Sequence, residues 1–169
     1  SDLIEAERLN GDHSVLVVES VNFSEFIGSV AHQFDNYDGG IEFESPDQDQ
    51  EFFIDKLRIR LLITNLLNNS IRHGEGNPIV VKIDYFEEQA SIEVIDQGEG
   101  ISAAHLSQIS EPFYRADSSR QRNTGGFGLG LYLCRLIAEA HGGRLNIRSE
   151  VGEGTHIAVH IPRQPPSDD

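Results

Sequence analysis

Three short stretches of this chain carry residues whose types and spacing could do chemistry. Asn65, Asn69 and Arg72 stand at i, i+4 and i+7, so a helix would set them on one stripe within about 60° of each other. Taken alone, such a stripe reads as wet surface. Asp96-Gln97-Gly98-Glu99-Gly100 follows an alternating apolar run and, taken alone, is an acidic turn whose glycines supply positive φ. Gly125-Gly126-Phe127-Gly128-Leu129-Gly130-Leu131 opens an apolar helical pattern. Its glycines permit close backbone approach, and the helix amides just beyond them attract phosphate by roughly 0.3–1 kcal/mol per contact. The spacing is neither the dinucleotide G-x-G-x-x-G nor a phosphate loop, which needs a lysine this segment lacks. A glycine hinge without a ligand is the competing reading.

Other chemistries are disfavoured by type and spacing. No histidine pair has zinc spacing with a third ligand nearby, and no Ser-His-Asp arrangement can be argued. Cys134 is the only cysteine, so the chain has no internal disulfide; the thiol reads as buried and inert in a reduced compartment. Thirteen Lys and Arg against 28 Asp and Glu give a net charge of −15, which opposes nonspecific binding to nucleic acid or an anionic membrane. A polyphosphate would be repelled too, so a site for one must gather positive charge locally. Arg72, Arg115, Arg120 and Arg122 fall in or beside the motif segments. Each is equally readable as solubilising surface charge.

The elements that must position these residues follow from periodicity. At 169 residues and 38% hydrophobic, the chain can bury one sizeable core. Leu3, Ile4, Ala6 and Leu9 share a helical stripe that stops at Asn10-Gly11; a frayed terminal helix is one reading of it. A short strand is expected over 15–18 and an amphipathic helix over 24–34, with Phe26, Ile27, Val30, Ala31 and Phe34 inward. Strands follow over 41–44 and 51–54. Asp55 then caps a long helix to about His73, with Leu57, Leu61, Leu62, Leu66 and Ile71 as its buried face. A hairpin over 80–86 and 91–95, a helix over 128–141 and an antiparallel pair over 145–149 and 156–161 complete the order. The sum is an α+β two-layer sandwich with a mixed, mostly antiparallel sheet and helices on one face. Residues 163–169 read as a disordered tail, and no stretch approaches the length of a bilayer-spanning helix.

In order, Asn65-Leu66-Leu67-Asn68-Asn69, Asp96-Gln97-Gly98-Glu99-Gly100, Glu111-Pro112-Phe113-Tyr114-Arg115 and the 125–131 glycine segment resemble the N, G1, F and G2 boxes of the GHKL (Bergerat) ATP-binding fold of bacterial sensor histidine kinases. The resemblance implies ATP and Mg²⁺ as cofactors. It gives Asn69 as the side-chain oxygen on the metal, Arg72 and His73 as nucleotide neighbours, and Asp96 as acceptor of the adenine amine. Gly98, Gly100, Ile101, Gly126, Phe127, Gly128, Leu129, Gly130, Leu131 and Thr155 complete the implied nucleotide contacts. Residues 116–124 would be the ATP lid, and Arg115, with Arg120 and Arg122 as competitors for the role, would neutralise the γ-phosphate. Relatives that hydrolyse ATP place a glutamate four residues before the metal-binding asparagine; here that position is Asn65. An amide accepts no proton at neutral pH, which favours transfer over hydrolysis and gives Asn65 a place in the catalytic set with Arg72 and Arg115.

None of His13, His32, His73, His105, His141, His156 or His160 has the acid and proline that follow the family's phospho-accepting histidine. The resemblance therefore implies that the nucleophile sits on a separate dimerisation domain, that a response regulator receives the phosphoryl group, and that the intact protein is a homodimer. Residues 1–12 would be the end of a dimerisation helix and linker, and 13–162 the catalytic domain. The expected location is the cytoplasmic part of an inner-membrane receptor, with no nucleic-acid partner and no direct membrane contact. An anti-sigma-factor type serine kinase and a nonenzymatic nucleotide-binding module share the fold. The 111–115 segment and lid length favour the histidine kinase.

Overall fold

The computed structural model describes residues 15–106 and 126–167, with the backbone alone for 126–129. In chain order the elements are β1 (Val18–Asn22), α1 (Phe23–Ala31) running into a 3₁₀ turn (His32–Phe34), β2 (Ile41–Glu44), β3 (Glu51–Asp55), α2 (Lys56–His73), β4 (Ile79–Phe86), β5 (Gln89–Asp96), α3 (Ala103–Leu106), α4 (Gly126–Ala140), β6 (Arg144–Glu150) and β7 (Gly154–Pro162). Five strands form one sheet in the order β2-β4-β5-β7-β6, and β1 pairs with β3 in a second, two-stranded sheet. Among the described strands only β2 and β4 run parallel; the other pairs are antiparallel.

Period-two alternation sorts the large sheet into two faces. Register brings Val81 opposite Val94, Ile92 opposite Val159 and Ile147 opposite Ile157 on one face. Val81, Ile92, Val94 and Val159 are fully buried there. The other face carries Lys82, Glu93, Arg148 and His156. The helices α2 and α4 pack on each other and on the apolar face, with the Cys134 thiol 3.6 Å from the Leu62 carbonyl. The sequence expectation of an α+β sandwich with a mostly antiparallel sheet therefore stands.

Polar anchors fix the periphery. Asn22 makes no capping bond at the start of α1, and Asp49 takes its place by accepting from the Ser24 and Glu25 amides at 2.8 and 3.0 Å. Asp55 caps α2 through the Arg58 amide and pairs with the Arg58 guanidinium at 2.7 Å, both side chains being buried. The same carboxylate accepts the Val17 amide at 2.9 Å. Burial pushes the Asp55 proton affinity up, but those amides and the guanidinium more than offset it and hold the carboxyl below its ordinary range. The backbone amide of Asp55 donates to His141 Nε2 at 3.0 Å, and the Nδ1–H of His141 donates to the Ile137 carbonyl. The end of α4 is thereby tied to the start of α2.

Three expectations need correction. Leu57 is 77% exposed, while Arg58, Ile59, Ile63 and Leu67 are buried. The Asp55–Arg58 cap rotates the inner stripe of α2 off Leu57. The first strand begins at Val18 rather than Val15, and Val15 and Val17 remain exposed, because the Asp55 carboxylate rather than apolar packing holds the entering backbone. The tail expected from residue 163 starts ordered: Arg163 donates to Glu88, to the Glu51 carbonyl and to Gln50, and its guanidinium lies 5.0 Å from the Phe52 ring centroid. The residues expected over 1–14, 107–125 and 168–169, including Arg115, Arg120, Arg122 and the lid, lie outside the described residues.

Candidate functional site

The last two turns of α2 present the amide stripe inward. Asn69 and His73 are 6% and 7% exposed, Asn65 is half-buried, and Arg72 faces solvent. Asn69 Oδ1 and Asn65 Nδ2 are both buried and have no hydrogen-bond partner among the described residues. Each such group costs about 1–3 kcal/mol when left unsatisfied, so a ligand is the natural complement. An acceptor and a donor one turn apart suit a metal–phosphate group: a neutral oxygen for the cation and an N–H for the anion. Among the described residues no three His, Cys, Asp or Glu side chains are grouped to hold a metal. A single asparagine oxygen fits Mg²⁺, which takes few protein ligands when phosphates supply the rest.

The acidic turn after β5 closes directly on the end of α2. A Cβ on Gly98 would stand 1.9 Å from the His73 carbonyl oxygen and 2.7 Å from Gly74 Cα, so only glycine lets the two backbones meet. Asp96 is 5% exposed, and its Oδ1 accepts the Gly98 amide at 3.0 Å and the Thr155 amide at 3.2 Å. Burial pushes the Asp96 carboxyl above its ordinary value, with the two amides opposing. The Nδ1–H of His73 donates to Glu99 Oε1 at 3.2 Å. Burial pushes the His73 imidazole down, against the pull of the Glu99 and Asp96 charges.

The β6–β7 turn supplies the third wall. Gly154, at φ +99°, leaves no room for a Cβ, which would lie 2.2 Å from the Asp96 carbonyl oxygen. Ser149 was not read from sequence, yet its hydroxyl accepts the Ile101 amide at 2.8 Å, lies 2.8 Å from the Thr155 hydroxyl and donates to the Gly154 carbonyl. Asn77 bonds the Gln97 carbonyl, and the Tyr37 hydroxyl donates to the Asn77 carbonyl. These three escaped sequence reasoning because they lie outside the motif segments and act through backbone contacts. The structure thus brings His73, Asp96, Gly98, Gly100, Ile101 and Thr155 into one junction, with Asn69 one turn and Asn65 two turns up α2. It leaves Arg72 on the outer side.

The glycine segment forms the start of α4, whose backbone is helical from Gly126, and Leu131 is buried against the core. Gly130 is informative. A Cβ there would meet nothing within 4 Å, and no positive φ is recorded for it. A helix-interior glycine costs about 1 kcal/mol relative to alanine, and neither packing nor backbone geometry among the described residues requires one here.

Residues 54–165 match the sequence profile of the family described as histidine kinase-, DNA gyrase B-, and HSP90-like ATPase. The sensor protein SrrB of Staphylococcus aureus is 36% identical over 107 residues, covering 63% of this chain and 18% of that protein. The chain therefore spans about a fifth of the length of the curated relatives it matches. Among solved structures, full-length ShkA in complex with AMPPNP superposes with a TM-score of 0.83 over 98% of this chain and 35% of its own, at 20% identity. The nucleotide-free catalytic domain of the histidine kinase ThkA superposes with a TM-score of 0.76 over 89% of this chain and all of its own, at 24% identity. Both likenesses concern the fold.

Proposed function

We propose, from the premise that this chain belongs to the family of histidine kinase-, DNA gyrase B- and HSP90-like ATPases, that it is the ATP-binding catalytic domain of a sensor histidine kinase. Asp96 accepts the adenine amine, in a junction whose glycines admit the ring. Asn69 Oδ1 would hold Mg²⁺, which when bound would supply positive charge to offset the phosphates. Asn65 donates Nδ2–H toward the phosphates, and the start of α4 receives them at Gly126–Leu131 through its backbone amides. The γ-phosphoryl leaves the ADP oxygen and bonds to an imidazole nitrogen of a dimerisation domain, then passes to an aspartate of a response regulator. Positioning and charge neutralisation carry the rate.

The observation that supports transfer over hydrolysis is the Asn65–Asn69 pair: a buried donor and a buried acceptor, both without partners among the described residues, and no carboxylate at position 65 to activate water. Residues 1–12 are then the end of a dimerisation helix and linker, and the intact protein is a homodimeric receptor whose kinase half faces the cytoplasm, where ATP is. Arg115 assists the γ-phosphate, whereas Arg72, expected beside it, faces solvent on the outer side of α2. The test is transfer of radiolabel from γ-labelled ATP to a separately supplied dimerisation domain. Label on its histidine is the expected result. Confirmed ATP binding with label on serine of a partner, or nowhere, would reject the assignment.

A further inference from the structure

We infer that Glu99 is a positioning residue that locks the His73 ring in one orientation and one tautomer at the base end of the nucleotide site. The inference rests on the nucleotide reading above. Glu99 occupies the second variable position of the glycine turn, which looks on sequence like solvated filler, and its side chain is 56% exposed. Its backbone, however, is clamped at both ends. Its amide donates to the His73 carbonyl at 3.3 Å, and its carbonyl accepts the Gly152 amide at 2.9 Å. The flanking glycines hold the same clamp: Gly98 abuts the His73 carbonyl, and Gly100, at φ +75°, abuts the Glu150 carbonyl. A carboxylate on so fixed a backbone reaches Nδ1 of a histidine that is 7% exposed.

That contact does two things an apolar neighbour could not. An imidazole has a roughly two-fold χ2, so a packed ring can sit in either of two flipped states of similar shape. A carboxylate at Nδ1 selects the state that puts a nitrogen, rather than a carbon, against it. Because an ionised carboxylate only accepts, the Nδ1 nitrogen must carry the proton, and in the neutral ring Nε2 is then the acceptor. Burial keeps the ring neutral, and Asp96 and Arg72 are the other charges that act on it. One polar face of fixed sense thus stands beside the adenine-reading carboxylate. Without Glu99, the ring would sample both flips and both tautomers, and ordering it would weigh against each binding event.

The test uses two variants of an exposed side chain whose melting temperatures should match the wild type. Glu99→Gln keeps an oxygen acceptor and removes the charge; Glu99→Ala removes both. In the nucleotide-free wild type, the ¹⁵N signals of the His73 ring should report the Nδ1–H tautomer. Glu99→Gln, whose amide can accept from Nδ1–H or donate to a bare Nδ1, should hold the ring but mix the two tautomers, and Glu99→Ala should lose both orientation and tautomer. Calorimetry with Mg·ATP should give affinity for Glu99→Gln between that of wild type and Glu99→Ala, and roughly five- to tenfold weaker binding than wild type for Glu99→Ala. Equal affinity for wild type and Glu99→Ala, an unchanged tautomer in Glu99→Ala, or a Gln variant as weak as Ala would overturn the inference. Failure of the wild type to bind Mg·ATP would instead sink the nucleotide reading beneath it, and the ring signals tell the two failures apart.

Discussion

Asp96→Asn separates recognition from folding at a single atom. Both backbone amides fall on Oδ1 of Asp96, from Gly98 at 3.0 Å and Thr155 at 3.2 Å. The asparagine oxygen can keep both, so the turn should close as before. The second oxygen, which would accept the adenine amine, becomes an NH₂, and two donors then face each other. A hydrogen bond to a charged acceptor is lost, at about 1.5–3 kcal/mol, and the mismatch leaves a buried donor unsatisfied. Together these come to about 2–4 kcal/mol, or roughly 30- to 1000-fold in affinity. Stability should move the other way. Burial holds the Asp96 carboxyl above its ordinary value, so the folded state carries a charge it disfavours at neutral pH, and the amide removes that burden. The expected pair of results is a melting temperature equal to or above wild type and a collapse of ATP binding in calorimetry. The ATP-over-GTP preference should collapse as well, since an NH₂ suits the guanine O6. An ATP affinity within threefold of wild type, in a variant that melts normally, would refute Asp96 as the base reader.

Other perturbations act on different links. Asn69→Ala should abolish the Mg²⁺-dependent part of ATP affinity and leave metal-free binding unchanged, measured by titration with and without chelator; the buried, unpartnered Oδ1 is the reason. Gly98→Ala places a methyl 1.9 Å from the His73 carbonyl oxygen, so the turn must lift from α2; a loss of about 1–3 kcal/mol in urea unfolding, together with weaker ATP binding, is expected. Arg58→Met strands the buried Asp55 carboxylate and should cost about 3–5 kcal/mol, part of which returns when Asp55→Asn is added. His141 and His73 both have proton affinities pushed below the ordinary value of 6.5 by burial. Below that pH the unfolded chain takes protons the folded chain refuses. Stability should therefore be flat above about pH 6.5 and fall on acidification by roughly 1.4 kcal/mol per pH unit per histidine, until the lowered folded values are reached. Melting curves between pH 8 and 5 check it.

How much of this was legible in the chain depends on whether a residue acts locally or through a partner distant in sequence. The element order, the Asp55 cap and the hairpin at Glu87-Glu88 follow from patterns a few residues long, and the structure agrees with them. Where the buried face of α2 begins does not. Leu57 is the better apolar residue, but Asp55 recruits Arg58 and, across the fold, the Val17 amide and His141, and that buried polar group turns Leu57 outward. Arg163 likewise reads as the first residue of a polar, proline-rich end until the 87–88 turn and β3 stand beside it.

The site divides the same way. Asn69, Asp96 and the glycines are recognisable because they fall in short motif segments; Gly98 and Gly154 are fixed by close backbone contacts, whereas a Cβ on Gly130 would meet nothing among the described residues. Ser149 lies outside those segments, and Glu99 is a variable position within one. Each is a common surface residue type whose role comes from partners brought close by strand register or by the abutting turn: Ile101, Gly154 and Thr155 for Ser149, His73 for Glu99. Composition and periodicity report what a residue prefers, whereas these two matter for where the backbone holds them. Residues of that second kind should therefore be sought where glycines press one backbone against another, since that contact fixes side-chain origins tightly enough for a single hydrogen bond to orient a ring.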